Sequence, residues 1–365
     1  MRREAAHTRV LAAAAALCLT QTPGVAQTVS GQERAGSGQE RAGSGQERAA
    51  AEFYKGRNVS VYVGFGPGGG YDLSARTLAR YMGRHIPGEP NMLPRNMPGA
   101  GSLQLANYLY TIAPKDGSEF GIFGRTVPLD PLMGTKGANY DPRQFTWLGS
   151  TSNEVSTCVS WHTSPVKTFE DLRKFELSVG ASGATSPSAA FPNILNGVLG
   201  TKLKVIYGYT GSAAILTALE AGELSGFCSW GWVPIKTQRP DWLRDKKINV
   251  LVQLALRKHP DHPEVPLAQE FASNDDERKV LDFVFAPQVF ARPFAAPPKL
   301  SPERAATLRN AFSATVRDPA FVAEAGKLGL EPDLVTWEEM DRLVGAIYQA
   351  PPAVVARARE AMGGK

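Results

Sequence analysis

The sequence predicts an α/β protein of two units, each a mostly parallel sheet flanked by helices. Short β-branched or apolar runs alternate with helical patterns from Val59 to Leu254. Glycine- or serine-rich loops follow strand ends at Gly64–Gly70, Ala181–Ser188 and Gly208–Ser212. These loops lie in two separate stretches of chain. Open α/β sheets bind ligands beyond the carboxyl ends of their strands, so a cleft between two units is expected.

At 365 residues and 43% hydrophobic content, the chain can bury one or two substantial cores. Arg2, Arg3 and Arg9 precede the apolar stretch Val10–Leu19, and Gly24-Val25-Ala26 offers small residues for cleavage. Residues 1–26 read as a secretory signal peptide. Leu17 before Cys18 does not fit a lipoprotein box, and no later apolar run approaches the roughly 20 residues that span a bilayer. An exported, soluble protein is expected. Without the leader, 37 basic residues stand against 34 acidic ones, a formal charge of +3. That balance does not suit a nucleic-acid partner, and no Lys/Arg cluster with interleaved aromatics appears.

Residues 30–50 hold three seven-residue copies of Ser-Gly-Gln-Glu-Arg-Ala-Gly/Ala. Each copy offers only alanine to a seam, so 27–52 reads as a flexible tether rather than a coiled coil. The folded part is expected from Phe53. Val59–Val63 alternates as a strand and runs into Gly64-Phe65-Gly66-Pro67-Gly68-Gly69-Gly70-Tyr71-Asp72, after which helical spacing begins. Asp72 stands where an N-cap is expected. Asn91–Arg95 reads as extended, Leu103–Tyr110 as a helix and Phe120–Phe123 as a buried strand. A proline-punctuated loop then leads to Trp147.

The second unit is expected over 154–254, with 53–153 and roughly 255–365 forming the first. Val155–Trp161 is strand-like, and a helix is expected from Thr168. Leu177–Gly180, Lys204–Tyr207 and Leu224–Cys228 read as strands, with helices over Ala189–Leu199 and Ala213–Ala221. From Ser301 the pattern is helical, broken at Pro319, Pro332 and Pro351. Cys158 and Cys228 are candidates for a disulfide or for two buried thiols.

Three chemistries compete for the loops after the strands. Free N–H groups beside a helix N-terminus suit a carboxylate or phosphate. Gly64-x-Gly66-x-x-Gly69 is also a dinucleotide fingerprint, with Glu89 at the right distance. Glu89, however, lies in the turn Pro87-Gly88-Glu89-Pro90, and Pro67 removes a donor from the loop. Gly180-x-Ser182-x-Ala184 approaches a hydrolase nucleophile elbow, but none of His85, His162, His259 and His262 stands in a matching context. His259-x-x-His262 lacks the further donors of a metal site. No catalytic constellation, cofactor or metal is expected.

Val63-x-Phe65-x-Pro67-Gly68-Gly69-Gly70-x-Asp72 with Ala75-Arg76 resembles the opening of the substrate-binding proteins of tripartite tricarboxylate transporters, the TctC or Bug family. Asn96-x-Pro98-Gly99-Ala100-Gly101, Ala113-Pro114-x-Asp116-Gly117 and Pro165-Val166-Lys167-Thr168-x-x-Asp171-Leu172 extend the resemblance over roughly 57–360. It implies a two-lobed type II periplasmic-binding-protein fold that closes on a small organic acid, a mono- or dicarboxylate, aromatic acids included. The implied partners are that acid and integral-membrane transporter subunits, and the receptor is expected to be a periplasmic, non-enzymatic monomer. In the family a ligand carboxylate is held by main-chain N–H groups and waters from loops like Gly66–Asp72 and Ser182–Ser188.

Carried onto this chain, the ligand-binding set from the first lobe is Gly66, Gly68, Gly69, Gly70, Tyr71 and Asp72, with Arg125 and Thr126 as wall residues. From the second lobe come Ser182, Gly183, Ala184, Thr185 and Ser188, then Tyr209, Thr210 and Gly211, then Ser229 and Trp230. The chain departs from the family at Ser229-Trp230-Gly231-Trp232 and at Tyr207–Gly211. An exported hydrolase using Ser182 and a dinucleotide enzyme are the alternatives.

Overall fold

A computed structural model of the chain describes residues 45 and 47–362. The expected signal peptide at 1–26 and the first two of the three repeats lie outside them. Helix α1 spans 47–54, buries Ala50 and Tyr54, and so begins inside the segment read as a tether. The Tyr54 hydroxyl donates to the Gly117 carbonyl at 3.1 Å, which ties this helix to the body.

The first half runs β1 (Asn58–Val63), α2 (Gly70–Met82), β2 (Asn91–Asn96), α3 (Leu103–Thr111), β3 (Glu119–Ile122) and β4 (Thr146–Ser150). Then follow β5 (Ser156–Trp161), β6 (Leu177–Ala181), α4 (Pro187–Leu199), β7 (Leu203–Tyr207), α5 (Ser212–Glu220) and β8 (Gly226–Gly231). After these come α6 (Trp232–Gln238), α7 (Pro240–Arg244), β9 (Ile248–Leu254), α8 (Asp275–Phe285) and β10 (Pro293–Ala296). The chain closes with α9 (Pro302–Arg317), α10 (Pro319–Lys327), β11 (Val335–Thr336), α11 (Trp337–Ile347) and α12 (Pro352–Ala361).

Two sheets form, in the orders β2-β1-β3-β10-β4-β11 and β7-β6-β8-β5-β9. Both follow one plan: three parallel strands, then one reversed strand (β10 or β5), then β9 in the second sheet and β4 with β11 in the first. β2 carries Pro94, which lacks a donor, and β2 is accordingly an edge strand. Val59, Val61 and Val63 of β1 pack with Leu78 and Met82 of α2 and Phe312 of α9. In the second sheet Val159 and Phe227 pack with Ile215 and Leu219 of α5 and with Trp242.

Some local expectations differ from what forms. The helix expected from Thr168 is a single 3-10 turn, Glu170–Arg173. There the Asp171 carboxylate accepts the Lys167 and Thr168 N–H groups, and β6 starts too soon afterwards for a longer helix. β8 runs on through Ser229 and Trp230 to Gly231. The chain returns to the first sheet only at Pro293, so 255–292 stays beside β9 and α4, later than the boundary at 255 read from sequence.

Cys158 and Cys228 face each other in register on antiparallel β5 and β8 and are bonded to one another. The bond closes a loop over a sequence separation of 70. Loop-closure entropy for that length corresponds to about 4 kcal/mol. A Cys158→Ser/Cys228→Ser protein is therefore expected to unfold at markedly lower urea, with its stability reduced by about that amount. Coincident denaturation curves for the two proteins would show that the bond does not constrain the unfolded chain.

Asp130, in the loop after β3, is buried, and the Tyr140 hydroxyl donates to it at 2.8 Å. Burial pushes its carboxyl well above the usual carboxylate range, against the weaker opposing pull of that hydrogen bond. The folded protein thus keeps a proton that the unfolded chain releases above about pH 4. Stability from this group is complete below that pH and falls as pH rises toward the folded value. Asp130→Asn is expected to raise the melting temperature at pH 7–8 and to flatten its decline from pH 5 to 8. Parallel thermal melts across that range test this, and an unchanged slope would contradict it.

Candidate functional site

The connections that leave and re-enter the first sheet run side by side. Glu154 N–H donates to Gln288 O at 3.1 Å, and Ala291 N–H donates to Ser152 O at 3.0 Å. Arg292, on the second crossing, lines a cleft beside the loops at the carboxyl ends of strands from both sheets. The cleft encloses about 600 Å³ of empty space, part of it open solvent.

One wall is the glycine loop. Gly68 has φ +82°, which glycine adopts without a Cβ penalty, and its N–H donates to the Asp72 carboxylate at 2.9 Å. α2 then starts at Gly70 with Gly69 as its N-cap. The N–H groups of Gly69, Gly70 and Tyr71 donate to no protein acceptor among the described residues and lie at the positive end of α2.

Asp72 is not the N-cap. It is buried in the first turn, and besides Gly68 it accepts from Arg76 Nε at 2.9 Å and Asn96 Nδ2 at 2.8 Å. Burial raises its pKa, but the hydrogen bonds from Arg76, Gly68 and Asn96 outweigh this and hold the carboxyl below its ordinary value. Asp72 shapes the loop, and Gly68 has no N–H left for a ligand.

Several residues expected to touch ligand instead join the two sides. Gly66 N–H donates to Thr210 O at 2.8 Å. Gly183 backs onto Ala100 and Gly101, and the Thr185 hydroxyl donates to Ala100 O at 2.6 Å. The Thr126 hydroxyl donates to Thr185 O at 2.7 Å. Gly211 lies against Gly66 as the N-cap of α5. Ala184 faces a separate cavity beside Asp130, and Tyr209 lines an outer groove. These contacts hold the cleft shut, because they connect loops that grow from different sheets.

From the second sheet, Ser182, Ser188, Ser229 and Trp230 line the cleft. Ser188 Oγ accepts the Ser182 N–H at 3.2 Å and pairs with Ser186 Oγ at 2.9 Å. No histidine is among the residues lining the cleft, so Ser182 has no imidazole base beside it. His262 stands elsewhere, packed edge-on against Trp232 and paired with Glu264.

A buried charge cluster borders the cleft. Arg125, Glu154 and Arg292 are only 2%, 7% and 6% exposed. Arg292 meets Glu154 with two donors, at 2.6 and 3.2 Å, and Arg125 reaches the same carboxylate at 3.1 Å. Two guanidiniums share one carboxylate, which leaves a formal charge of +1. Arg125 also donates to the Tyr71 and Ser156 hydroxyls and to Gln288. Burial opposes its charge, but Tyr71 and Glu154 outweigh burial and hold its proton more tightly than usual. The Arg292 guanidinium sits 4.6 Å from the centre of the Tyr71 ring, and its Nε donates to no protein group among the described residues. At the end of β8, a Cβ on Gly231 would fall 1.5 Å from Glu154 Oε1, so only glycine fits there.

Glu154 and Arg292 were not singled out from sequence, although a signal exists. Arg292 is the only charged residue from Phe283 to Pro298, and Glu154 is the only acidic or basic one (histidine aside) from Phe145 to Val166. A lone charge in an apolar run must be paired when the run is buried. Pairing the two required knowing that the crossings lie side by side.

No protein-family model matches the chain, and no curated protein matches it by sequence. Solved structures do match. BugD, a periplasmic binding protein, superposes with a TM-score of 0.65 at 20% identity, over 84% of this chain and 97% of its own. Rpa4515 of R. palustris with adipate gives 0.64 at 20% identity, over 83% and 97%. MatC from Rhodopseudomonas palustris with bound malate gives 0.63 at 22%, over 84% and 99%. The chain has the fold of these periplasmic binding proteins.

Proposed function

We propose that the protein is a solute-binding receptor of the TctC/Bug type that captures a small organic carboxylate in this cleft. The observation that carries the reading is the buried Arg125–Glu154–Arg292 cluster. Its surplus positive charge faces the same space as the open N–H groups of Gly69–Tyr71. A carboxylate there would neutralise the surplus and fill the empty donors with charge-assisted hydrogen bonds. The structural neighbours with adipate and with malate support the ligand class.

The leader pattern at 1–26 supports export to the periplasm, and no described helix is long and apolar enough to cross a membrane. Delivery of the acid to a tripartite membrane transporter, by a monomeric receptor without catalytic activity, completes the proposal. Native mass spectrometry of gently purified protein tests it. One copy of a small carboxylic acid per chain is expected, released on denaturation and regained on refolding with the acid. A nucleotide in its place, or ester hydrolysis abolished by Ser182→Ala, would replace the receptor reading with an enzymatic one.

A further inference from the structure

Away from the charge cluster, one polar side chain lining the cleft is left unmatched. Gln238 lines the cleft, and its amide Nε2 is buried without a hydrogen-bond partner. A buried donor with no acceptor costs stability and calls for an explanation. Gln238 ends α6, one turn beyond Pro234, which also lines the cleft, so the two share a helix face. The start of α6 is pinned to the charge cluster, because Gly231 lies against Glu154. Seven residues of helix place Gln238 about 9 Å along the axis from that end. The rest of the lining combines apolar side chains, among them Phe65, Ile215, Phe227 and Trp230, with the neutral hydroxyls of Ser182, Ser188, Ser212 and Ser229.

Resting on the receptor reading, we propose that Gln238 selects the ligand's far end, and that the ligand is a monoanion. It would be an acid with one carboxylate at Arg125 and Arg292, an apolar body, and a neutral hydrogen-bonding group such as hydroxyl or keto at Gln238. The charge count decides against a second carboxylate. Arg125 and Arg292 are the only ionised side chains lining the cleft, and Glu154 leaves them a surplus of one. A second carboxylate at Gln238 would be desolvated without a counter-charge. A neutral group loses little, and the amide can rotate to offer donor or acceptor, since no protein group fixes it.

Calorimetric titration with two series that differ only at the far end tests this. The first is hexanoate, 6-hydroxyhexanoate and adipate; the second is benzoate, 4-hydroxybenzoate and terephthalate. In at least one series the hydroxy acid is expected to bind about tenfold tighter than both the unsubstituted acid and the diacid. In Gln238→Leu the preference for hydroxy over unsubstituted acid should collapse to within twofold. In Gln238→Lys, which supplies the missing charge, the diacid should become the tightest ligand. Melting curves confirm that each variant is folded. A wild type that prefers the diacid, or a Gln238→Leu protein that keeps the hydroxy preference, overturns the assignment while leaving the receptor reading intact. Binding of no acid in either series overturns both.

Discussion

Arg292→Met is expected to fold and to lose affinity for the bound carboxylate by roughly a hundredfold. Each charge-assisted hydrogen bond to the anion contributes about 1.5–3 kcal/mol, and the cluster's formal charge falls from +1 to zero. The variant also removes the closer of Glu154's two partners. Losing one partner of a buried pair commonly costs about 3–5 kcal/mol of stability. Here Arg125, 3.1 Å from the same carboxylate, keeps Glu154 compensated and should hold the loss to the lower end. Glu154→Gln separates charge from collapse. It leaves two guanidiniums facing the cleft, so the protein should melt earlier yet hold the anion at least as tightly as wild type. Calorimetry and melting curves on both variants check the pair of signs. Binding by Arg292→Met within threefold of wild type would mean that the cluster is not the anchor.

The second large effect is expected at the glycine loop. Gly69 has an extended backbone, φ −84° and ψ 170°, that valine can adopt, so the substitution introduces no backbone strain. Its Cβ would stand 2.8 Å from Ser212 Oγ on the opposite side of the cleft. Gly69→Val is therefore expected to fold normally but fail to close, pulling the N–H groups of α2 away from the anion. Losing two such bonds at about 1.5 kcal/mol each weakens binding by at least a hundredfold. A ligand-free protein that still melts cooperatively, slightly earlier because the Gly66–Thr210 contact is lost, and that no longer binds is the expected signature. Normal binding would place the carboxylate elsewhere.

Much of the fold was legible because its signals are local. Val59–Val63 alternates, the glycine run ends it, and Leu73–Met82 keeps helical spacing, so strand, loop and helix follow from neighbours in sequence. β10 was not legible. Its four residues lie among prolines, and it is a strand because β3 and β4 supply partners on both sides. The site divides in the same way. Gly69, Gly70 and Tyr71 announce themselves as a loop before a helix. Arg292 acquires its role only where the second crossing passes the first. Gly66 and Thr210 read as ligand contacts from sequence because loops at strand ends look alike there. Which of them face the cleft and which face each other depends on how two distant stretches of chain meet.

A crystal structure of the protein as it leaves native purification, with its acid retained, tests the central claim most directly. The expected result is a carboxylate within hydrogen-bond distance of the Arg292 guanidinium and of at least two of the Gly69, Gly70 and Tyr71 N–H groups. An acid bound in the cavity beside Asp130, or in this cleft with its carboxylate turned away from Arg125 and Arg292, would contradict it.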